Sequence, residues 1–161
     1  MLDLLPDLFD LYPEKLRLVQ PIFKNFGANT MFAGEIVTVS CFNDNSRVKE
    51  LVDTDGNGKI MVIDGKASTS HALLGDMLAE KAVANRWQGI VVNGCIRDVG
   101  TINTLPIAVK ALGTCPIKTE KLGIGDINTP IEFAGASFVT GQYIYGDLNG
   151  LALSAHWLAL T

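Results

Sequence analysis

The chain has 161 residues and a mass of 17.3 kDa, with 48% hydrophobic and 19% charged residues. A chain of this length can form a stable core without disulfides or a structural metal, so we expect one domain over residues 1–161. The net charge of −4 argues against direct binding of nucleic acid, because nucleic-acid-binding domains carry a basic patch. Three cysteines and two histidines, widely scattered, fit neither a disulfide framework nor a histidine-rich metal site.

The N-terminus does not have the pattern of a secretory signal. Asp3, Asp7 and Asp10 all precede the first lysine, whereas a signal peptide begins with basic residues and an apolar run. The most apolar stretch, residues 151–160, has about half the length that a membrane-spanning helix requires. We therefore expect a soluble cytoplasmic protein that does not contact a membrane.

The first part of the chain predicts helices followed by a strand. Residues 2–20 are expected to form one or two short helices, interrupted by Pro6 and Pro13. Residues 34–42 alternate and are rich in β-branched side chains, which predicts a strand. A second helix is expected after the capping residues 44–46, with an apolar face of Val48, Leu51 and Val52.

The middle of the chain predicts two buried strands around a helix. Residues 59–64 and 89–93 are continuous apolar runs, which are typical of strands covered on both faces. A loop at 65–70 leads to an Ala- and Leu-rich helix over 76–86. Further short segments, separated by glycines, predict a β meander formed by residues 107–112, 130–133, 136–139, 143–145 and 151–154. The predicted fold class is α/β, with mixed sheets and flanking helices.

Residues 53–60 resemble the start of an EF-hand calcium loop, with oxygen donors at its first, third and fifth positions and Gly58 at its sixth. The loop position that normally holds a bidentate glutamate is Asp64, and Ile60 to Ile63 predict a strand where the exiting helix should begin. We therefore predict a polar helix-to-strand turn that uses a glycine at positive φ.

The most informative spacing is Gly75-Asp76 followed, after twenty residues, by Arg97-Asp98. A helix over 76–86 would advance about 16 Å, and the following strand would return about 16–17 Å. The two distances nearly cancel, so both dipeptides should lie at one edge of the sheet. Ligands of α/β proteins commonly bind at that edge.

These residues are chemically complementary. The helix N-terminus at Asp76 offers backbone N–H groups to a carboxylate, and Arg97 can donate paired hydrogen bonds to a 2-oxo acid. Asp98 is an oxygen ligand suited to Mg²⁺, with Asp76 orienting a metal-bound water. A purely structural explanation stays open at this point, because Gly-Asp often begins a helix and Arg-Asp often lies in a solvated loop.

Other reactive side chains contribute little to the predicted site. His71 and His156 are expected to be capped or packed surface residues. Cys95 lies in the predicted loop but has no histidine nearby in sequence to activate it. No Schiff-base lysine is required, and none is expected in the predicted site. Glu35 is a possible donor from a neighbouring subunit.

At these residues the sequence resembles the class II aldolase/RraA-like family over essentially the whole chain. The resemblance includes the Gly-Asp-x20-Arg-Asp signature and extends to flanking stretches on both sides. The matching stretches are PIFKNFG (21–27), ALLGDMLAEKAVANRWQG (72–89), VVNGCIRD (91–98), EFAG (132–135) and GDLNGLALS (146–154).

The resemblance implies a swivelling β/β/α domain and a homotrimer with active sites near subunit interfaces. It implies cleavage of 4-hydroxy-4-methyl-2-oxoglutarate to two pyruvates with a divalent cation (Mg²⁺ or Mn²⁺), and oxaloacetate decarboxylation as a second activity. By the same resemblance, Asp98 would bind the metal and Arg97 the substrate. The backbone N–H groups of Gly75, Asp76, Met77 and Leu78 would bind the pyruvyl carboxylate.

A mechanistic hypothesis follows from the same residues. The metal and Arg97 would stabilise a pyruvate enolate, with a metal-bound water as base. The family also contains regulators that bind ribonuclease E, and a non-catalytic inhibitor of that enzyme is the alternative function. In those regulators the Gly-Asp and the Asp after Arg tend to be replaced, whereas Gly75, Asp76 and Asp98 are intact here. The short chain length is typical of the regulators.

Overall fold

A computed structural model describes residues 1–160, which form four helices and twelve strands. The helices are α1 (Leu5–Leu11), α2 (Ser46–Val52), α3 (Asp76–Ala84) and α4 (Val99–Ile102). The strands are β1 (Arg17–Leu18), β2 (Lys24–Phe26), β3 (Phe32–Ser40), β4 (Lys59–Asp64), β5 (Ala72–Leu74), β6 (Gly89–Ile96), β7 (Ala108–Thr114), β8 (Asp126–Ile127), β9 (Ile131–Phe133), β10 (Ala136–Phe138), β11 (Tyr143–Asp147) and β12 (Gly150–Ser154).

Ten of these strands form one mixed sheet in the order β1-β12-β11-β3-β4-β6-β7-β2, with β5 paired to β6 and β8 to β3. Strands β3, β4, β6 and β7 are parallel neighbours, and α2, α3 and α4 lie in the connections between them. The carboxyl ends of these four strands therefore meet at one edge of the sheet. The remaining two strands, β9 and β10, form a separate hairpin.

Both faces of the sheet are covered. One face packs its apolar side chains against α2, α3 and α4, with Trp87 and Ile102 among the buried residues. The other face, including Ile60 and Val91, packs against Ile131 and Phe138 of the β9–β10 hairpin. Because both faces of β4 and β6 are buried, their sequences are continuous apolar runs rather than alternating ones.

The predicted central elements are confirmed, with small shifts in their boundaries. The strand at 59–64 agrees with β4, and the predicted strands 34–42 and 89–93 correspond to β3 and β6. Strand β6 continues to Ile96, three residues beyond the prediction. Helix α3 ends at Ala84 rather than residue 86, because Arg86 has a φ of 70° and the chain turns there to bury Trp87.

Residues 2–20 are expected to form one or two short helices, and they form one, α1, after which residues 17–18 pair with Leu153 and Ala152 as strand β1. The predicted β meander after residue 106 is wrong: β7 joins β6 in parallel, and β11 pairs with β3. Glycine spacing locates the turns, but the pairing partners are distant in sequence.

The segment that resembles a calcium loop connects α2 to β4, as predicted. Gly58 has a φ of 72°, and strand β4 begins directly after it. The Asp55 carboxylate accepts the Asn57 N–H and pairs with Arg86 at 2.8 Å, and Asp53 pairs with Lys81 at 3.7 Å. These acidic side chains therefore serve local connections. Within residues 1–160, no helix has the combination of length and apolar character needed to cross a bilayer.

Candidate active site

A cleft of about 180 Å³ opens at the carboxyl edge of the parallel strands. Its walls come from the start of α3, the residues after β6, the first half of α2 and the loop after β7. The lining includes all six residues predicted for the site. These are Gly75, Asp76, Met77, Leu78, Arg97 and Asp98.

The structure brings the two predicted dipeptides into direct contact. The backbone N–H of Asp76 donates to Asp98 Oδ2 at 3.1 Å, and the Arg97 N–H donates to the Leu74 carbonyl at 2.9 Å. Arg97 Nε lies 3.8 Å from Asp98 Oδ2. The α3 helix and the β6 strand thus return the chain to one edge of the sheet.

Gly75 makes this close approach possible. A Cβ atom at this position would lie 2.8 Å from Asp98 Oδ2 and 3.3 Å from Arg97 Nε. Its φ of −125° and ψ of −173° are extended values that any residue can adopt. The glycine is therefore required by the space that Asp98 and Arg97 occupy, and not by backbone conformation.

The four backbone N–H groups at the start of α3 are not equally available to a ligand. Asp98 Oδ2 accepts from Asp76, and Asp76 Oδ1 accepts from Met77 at 2.8 Å. Among the described residues, the N–H groups of Gly75 and Leu78 have no acceptor. Two of the four N–H groups that were predicted to bind the pyruvyl carboxylate therefore already donate to acidic side chains of the chain itself.

Arg97 and Asp98 both keep free polar atoms. Each side chain is 38% exposed. Within residues 1–160, no hydrogen bond uses the terminal guanidinium nitrogens of Arg97 or the Oδ1 atom of Asp98. Arg97 therefore has donors for an anionic ligand, and Asp98 has an oxygen for a cation. Asp98 adopts left-handed backbone angles, with a φ of 56°, at the tight turn into α4.

The donor set fits a hard divalent cation that keeps most of its waters. Asp98 Oδ1 would be the direct oxygen donor, and Asp76, whose Oδ2 accepts no hydrogen bond in the described chain, lines the same cleft. The described residues contain no cluster of three or more His, Cys, Asp or Glu side chains that could hold a metal ion alone. Mg²⁺ is commonly bound by one or two carboxylates, and water and substrate oxygens complete its coordination.

The cleft also contains lysine side chains, which the sequence analysis did not place near the predicted residues. Four lysines line the cleft: Lys49, Lys81, Lys118 and Lys121. Only Lys81 has a carboxylate partner, Asp53, within 4 Å among residues 1–160. The cleft is therefore strongly cationic on a chain whose net charge is −4. These lysines come from α2, α3 and the loop after β7, so sequence spacing did not connect them.

Buried polar side chains hold the lysine-bearing loop against the cleft. The Thr119 hydroxyl donates to Asn45 Oδ1 at 2.7 Å, and Asn45 Nδ2 donates to the Leu73 carbonyl at 3.0 Å. Both Asn45 and Thr119 are buried. They fix the loop between Lys118 and Lys121 to the strand that leads into Gly75.

Asp44 anchors the same loop from its other end. Its carboxylate accepts from the Ser46 hydroxyl and N–H and from the N–H groups of Leu122 and Ile124. Burial of Asp44 works against its charge, but these hydrogen bonds outweigh burial and lower the pKa of the carboxyl to about 2. Asp44 thus connects the start of α2 to the loop that carries Lys121.

The remaining reactive residues lie elsewhere. Cys95 is buried within β6 rather than in a loop, and burial raises the pKa of its thiol. His71 is half-buried with Nδ1 3.0 Å from the Ser70 hydroxyl, and His156 is exposed near the C-terminus. Glu35 lies in β3 and pairs with Lys59, the first residue of β4, so it is at the opposite edge of the sheet from Asp98. Within one chain, therefore, Glu35 cannot reach the cleft.

Comparison with known proteins agrees with the fold and site. The family model described as "RraA-like: Aldolase/RraA" matches residues 4–153. A curated relative from Marinomonas sp. (strain MWYL1), named "Putative 4-hydroxy-4-methyl-2-oxoglutarate aldolase", is 57% identical over 99% of both chains. A relative from Azotobacter vinelandii with the same name is 56% identical over 92% of both chains.

Two solved structures have closely similar folds. One, described as the RNA-processing inhibitor RraA from Thermus thermophilis, has a TM-score of 0.94 at 34% identity and covers 99% of this chain and 96% of its own. Another is described as S-adenosylmethionine: 2-dimethylmenaquinone methyltransferase from Geobacillus kaustophilus HTA426. It has a TM-score of 0.94 at 38% identity, with 97% of both chains covered.

The fold is thus a swivelling β/β/α domain, as the sequence resemblance implies. The chain belongs to the RraA-like (aldolase/RraA) family. The names of its curated relatives support an aldolase, a carbon–carbon lyase.

Proposed function

We propose that this chain is a divalent-metal-dependent aldolase that cleaves 4-hydroxy-4-methyl-2-oxoglutarate to two pyruvates and also decarboxylates oxaloacetate. The observation that carries the proposal is the convergence of Gly75-Asp76 and Arg97-Asp98 on one cationic cleft. The names of the curated relatives, which are more than half identical to this chain, support the aldol cleavage.

The charge of the cleft matches the charge of these substrates. Both substrates carry two carboxylates, and the cleft holds Arg97 and four lysines. The 2-oxo acid end binds beside Arg97 and the N–H groups of Gly75 and Leu78. The second carboxylate then lies toward Lys118 and Lys121. Charge-assisted hydrogen bonds of this kind orient a small ligand as well as hold it.

The reaction breaks the bond between C3 and C4 of the substrate. The C4 hydroxyl loses its proton and becomes the carbonyl of one pyruvate, and the bonding electrons remain on the other fragment as an enolate. A proton added at C3 completes the second pyruvate. In oxaloacetate, CO₂ leaves in place of the first pyruvate and the same enolate remains.

Arg97 stabilises the negative charge that develops on the 2-oxo oxygen as the bond breaks. Its terminal nitrogens make no hydrogen bond within the described chain, so they can donate to the substrate without breaking a hydrogen bond to the protein. Removing one such donor typically reduces turnover by about 10²–10³-fold. Asp76, which lines the cleft, holds the water that takes the hydroxyl proton.

Asp98 would hold the divalent cation through Oδ1 while Oδ2 keeps its hydrogen bond from Asp76. When bound, the cation supplies Lewis-acid polarisation of the 2-oxo group. The contact from Asp76 fixes the Asp98 carboxylate, so its orientation does not depend on the cation.

Pyruvate release tests this function directly. Wild type and Arg97→Ala are assayed with Mg²⁺ on 4-hydroxy-4-methyl-2-oxoglutarate and on oxaloacetate, with Arg86→Ala as the control because Arg86 pairs with Asp55 away from the cleft. We expect two pyruvates per aldol substrate and about a 10²-fold or greater loss of turnover in Arg97→Ala only. Full activity in Arg97→Ala would exclude the assigned role.

The second candidate is an inhibitor that binds ribonuclease E, favoured by the similarity to the Thermus RraA structure. The acidic surface of the chain would contact basic segments of that partner, so added salt should weaken binding. Tight, salt-sensitive binding to ribonuclease E without pyruvate release would favour this candidate over the aldolase.

We also propose a homotrimer with the cleft near a subunit interface. Large apolar side chains are exposed in the loop that borders the cleft, with Ile117, Leu122 and Ile124 each more than half exposed. Exposed apolar clusters of this kind often mark interfaces. Sedimentation should give three times the 17.3 kDa chain mass, and a monomer at assay concentration would contradict the proposal.

A further inference from the structure

A second cavity, of about 100 Å³, lies between β2, β7 and the turn that joins β11 to β12. We call it the Lys110 pocket. It is lined by Lys110, Asn25 and the turn residues 148–150, with Gln20 and Phe23 at its side. None of these residues lines the active-site cleft.

Lys110 places a buried positive charge on this pocket. The residue is only 4% exposed. Its ammonium donates to Asn25 Oδ1 and to the Asp147 carbonyl, each at 2.8 Å. An ammonium has three N–H donors, and the described chain offers no acceptor for the third. Within residues 1–160, no carboxylate lies within 4 Å of this ammonium.

Asp147, the carboxylate whose charge acts on Lys110, already accepts hydrogen bonds from other groups. Asp147 accepts from the N–H groups of Leu4, Leu5 and Asn149 at 2.8, 2.9 and 2.7 Å, and from Asn149 Nδ2 at 3.1 Å. Burial lowers the pKa of Lys110, and the charge of Asp147 acts in the opposite direction. Asp147 thus offsets part of the burial cost without forming an ion pair.

A buried ammonium is costly unless a counter-ion or full hydrogen bonding compensates it. The pocket lining offers a further donor, because Asn25 Nδ2 makes no hydrogen bond within the described residues while Asn25 Oδ1 accepts from Lys110. The pocket volume is about three times the share of one water in the liquid, about 30 Å³. A formate-sized carboxylate fits this space, whereas the pocket could not enclose a six-carbon sugar acid.

We propose that the Lys110 pocket binds one small monovalent anion of carboxylate size, held by the Lys110 ammonium and the Asn25 amide. The bound anion neutralises the buried charge and joins β2 and β7 to the β11–β12 turn. The site is independent of the aldolase function, because it shares no residue with the cleft.

Thermal unfolding tests the proposal with formate as the probe. Sodium formate replaces sodium gluconate at constant ionic strength, so that only the size of the carboxylate changes. At formate concentrations ten times the dissociation constant, we expect the Tm of wild type to rise by about 3–6 °C. No rise in wild type would overturn the proposal.

Asn25→Asp is the decisive variant, because it puts a carboxylate where Asn25 Oδ1 lies 2.8 Å from the ammonium. We expect this variant to unfold at a higher temperature than wild type in gluconate and to respond to formate by less than about 1 °C. Lys110→Met should also lose the response, and Asn25→Asp keeps the test valid if Lys110→Met does not fold. A full formate response in Asn25→Asp would overturn the proposal.

Two further measurements distinguish the Lys110 pocket from other possible causes of a rise in Tm. Arg97→Ala weakens anion binding in the cleft and should keep the full formate response; loss of the response there would assign it to the cleft and contradict the Lys110 site. A carboxylate from a second copy of the chain would make Tm depend on protein concentration and not on formate, which would also contradict a free-anion site.

Discussion

Replacing Gly75 with alanine should strongly reduce activity without unfolding the protein. The added Cβ would lie 2.8 Å from Asp98 Oδ2 and 3.3 Å from Arg97 Nε, so both side chains must move by several tenths of an ångström. The backbone angles at Gly75 suit alanine, and the atoms that must move belong to side chains rather than to the backbone. We therefore expect a change of less than about 1 kcal/mol in the free energy of unfolding.

The effect on catalysis should be much larger. Movement of Asp98 breaks its hydrogen bond from Asp76 and shifts both the carboxylate and the guanidinium. Misplacement of catalytic groups by about 1 Å can reduce rates by about 10²-fold, so for a shift of several tenths of an ångström we expect a loss of about 10- to 10²-fold in kcat/KM for pyruvate release.

The matched control is Gly100→Ala, two residues after Asp98 in α4. A Cβ there would meet nothing within 4 Å, so activity should remain at the wild-type level. The assay is pyruvate release with chemical denaturation of each variant in parallel. Full activity in Gly75→Ala, or equal losses in both variants, would refute the steric argument.

Three other predictions concern the cleft and its supports. Asp98→Asn should weaken Mg²⁺ binding measured by calorimetry and reduce turnover, whereas unchanged affinity would exclude Asp98 as a ligand. Lys118→Met should raise KM for oxaloacetate about 3- to 10-fold with little change in kcat, and Lys15→Met, an exposed control, should not. Asp44→Asn should reduce the free energy of unfolding at pH 7 by about 2 kcal/mol, and Asp10→Asn should not.

The Asp44 contribution also has a defined pH dependence. The folded-state pKa of about 2 lies below the ordinary value of 3.8, so the stabilisation is complete above pH 3.8 and is lost as the pH falls through 2. The difference between wild type and Asp44→Asn, measured by denaturation, should therefore shrink between these pH values. A constant difference down to pH 2 would contradict the assigned hydrogen bonds.

The sequence predicted the position of the site because that position depends on local geometry. One helix and one strand of nearly equal length separate Asp76 from Arg97, and a parallel crossover returns the chain to the same edge. The spacing could not show that Asp98 occupies the Asp76 N–H, because that contact depends on the turn at Asp98 and on the missing Cβ of Gly75.

The lysines of the cleft were not predictable in the same way. Lys49 lies on α2, whereas Lys118 and Lys121 lie in a loop that reaches the cleft through the hydrogen bond between Thr119 and Asn45, 74 residues apart. The β meander was wrong for a related reason. Glycines mark where strands end, but the pairing of β7 with β6 and of β11 with β3 is decided by burial on both faces of the sheet.

The central claim is that the cleft stabilises a pyruvate enolate, and proton exchange at the pyruvate methyl group measures that step alone. Pyruvate in D₂O with Mg²⁺ is followed by NMR in the presence of wild type, Arg97→Ala and Gly100→Ala. Wild type and Gly100→Ala should exchange the methyl protons well above the protein-free rate, and Arg97→Ala should not. Exchange at the protein-free rate in wild type would contradict the account.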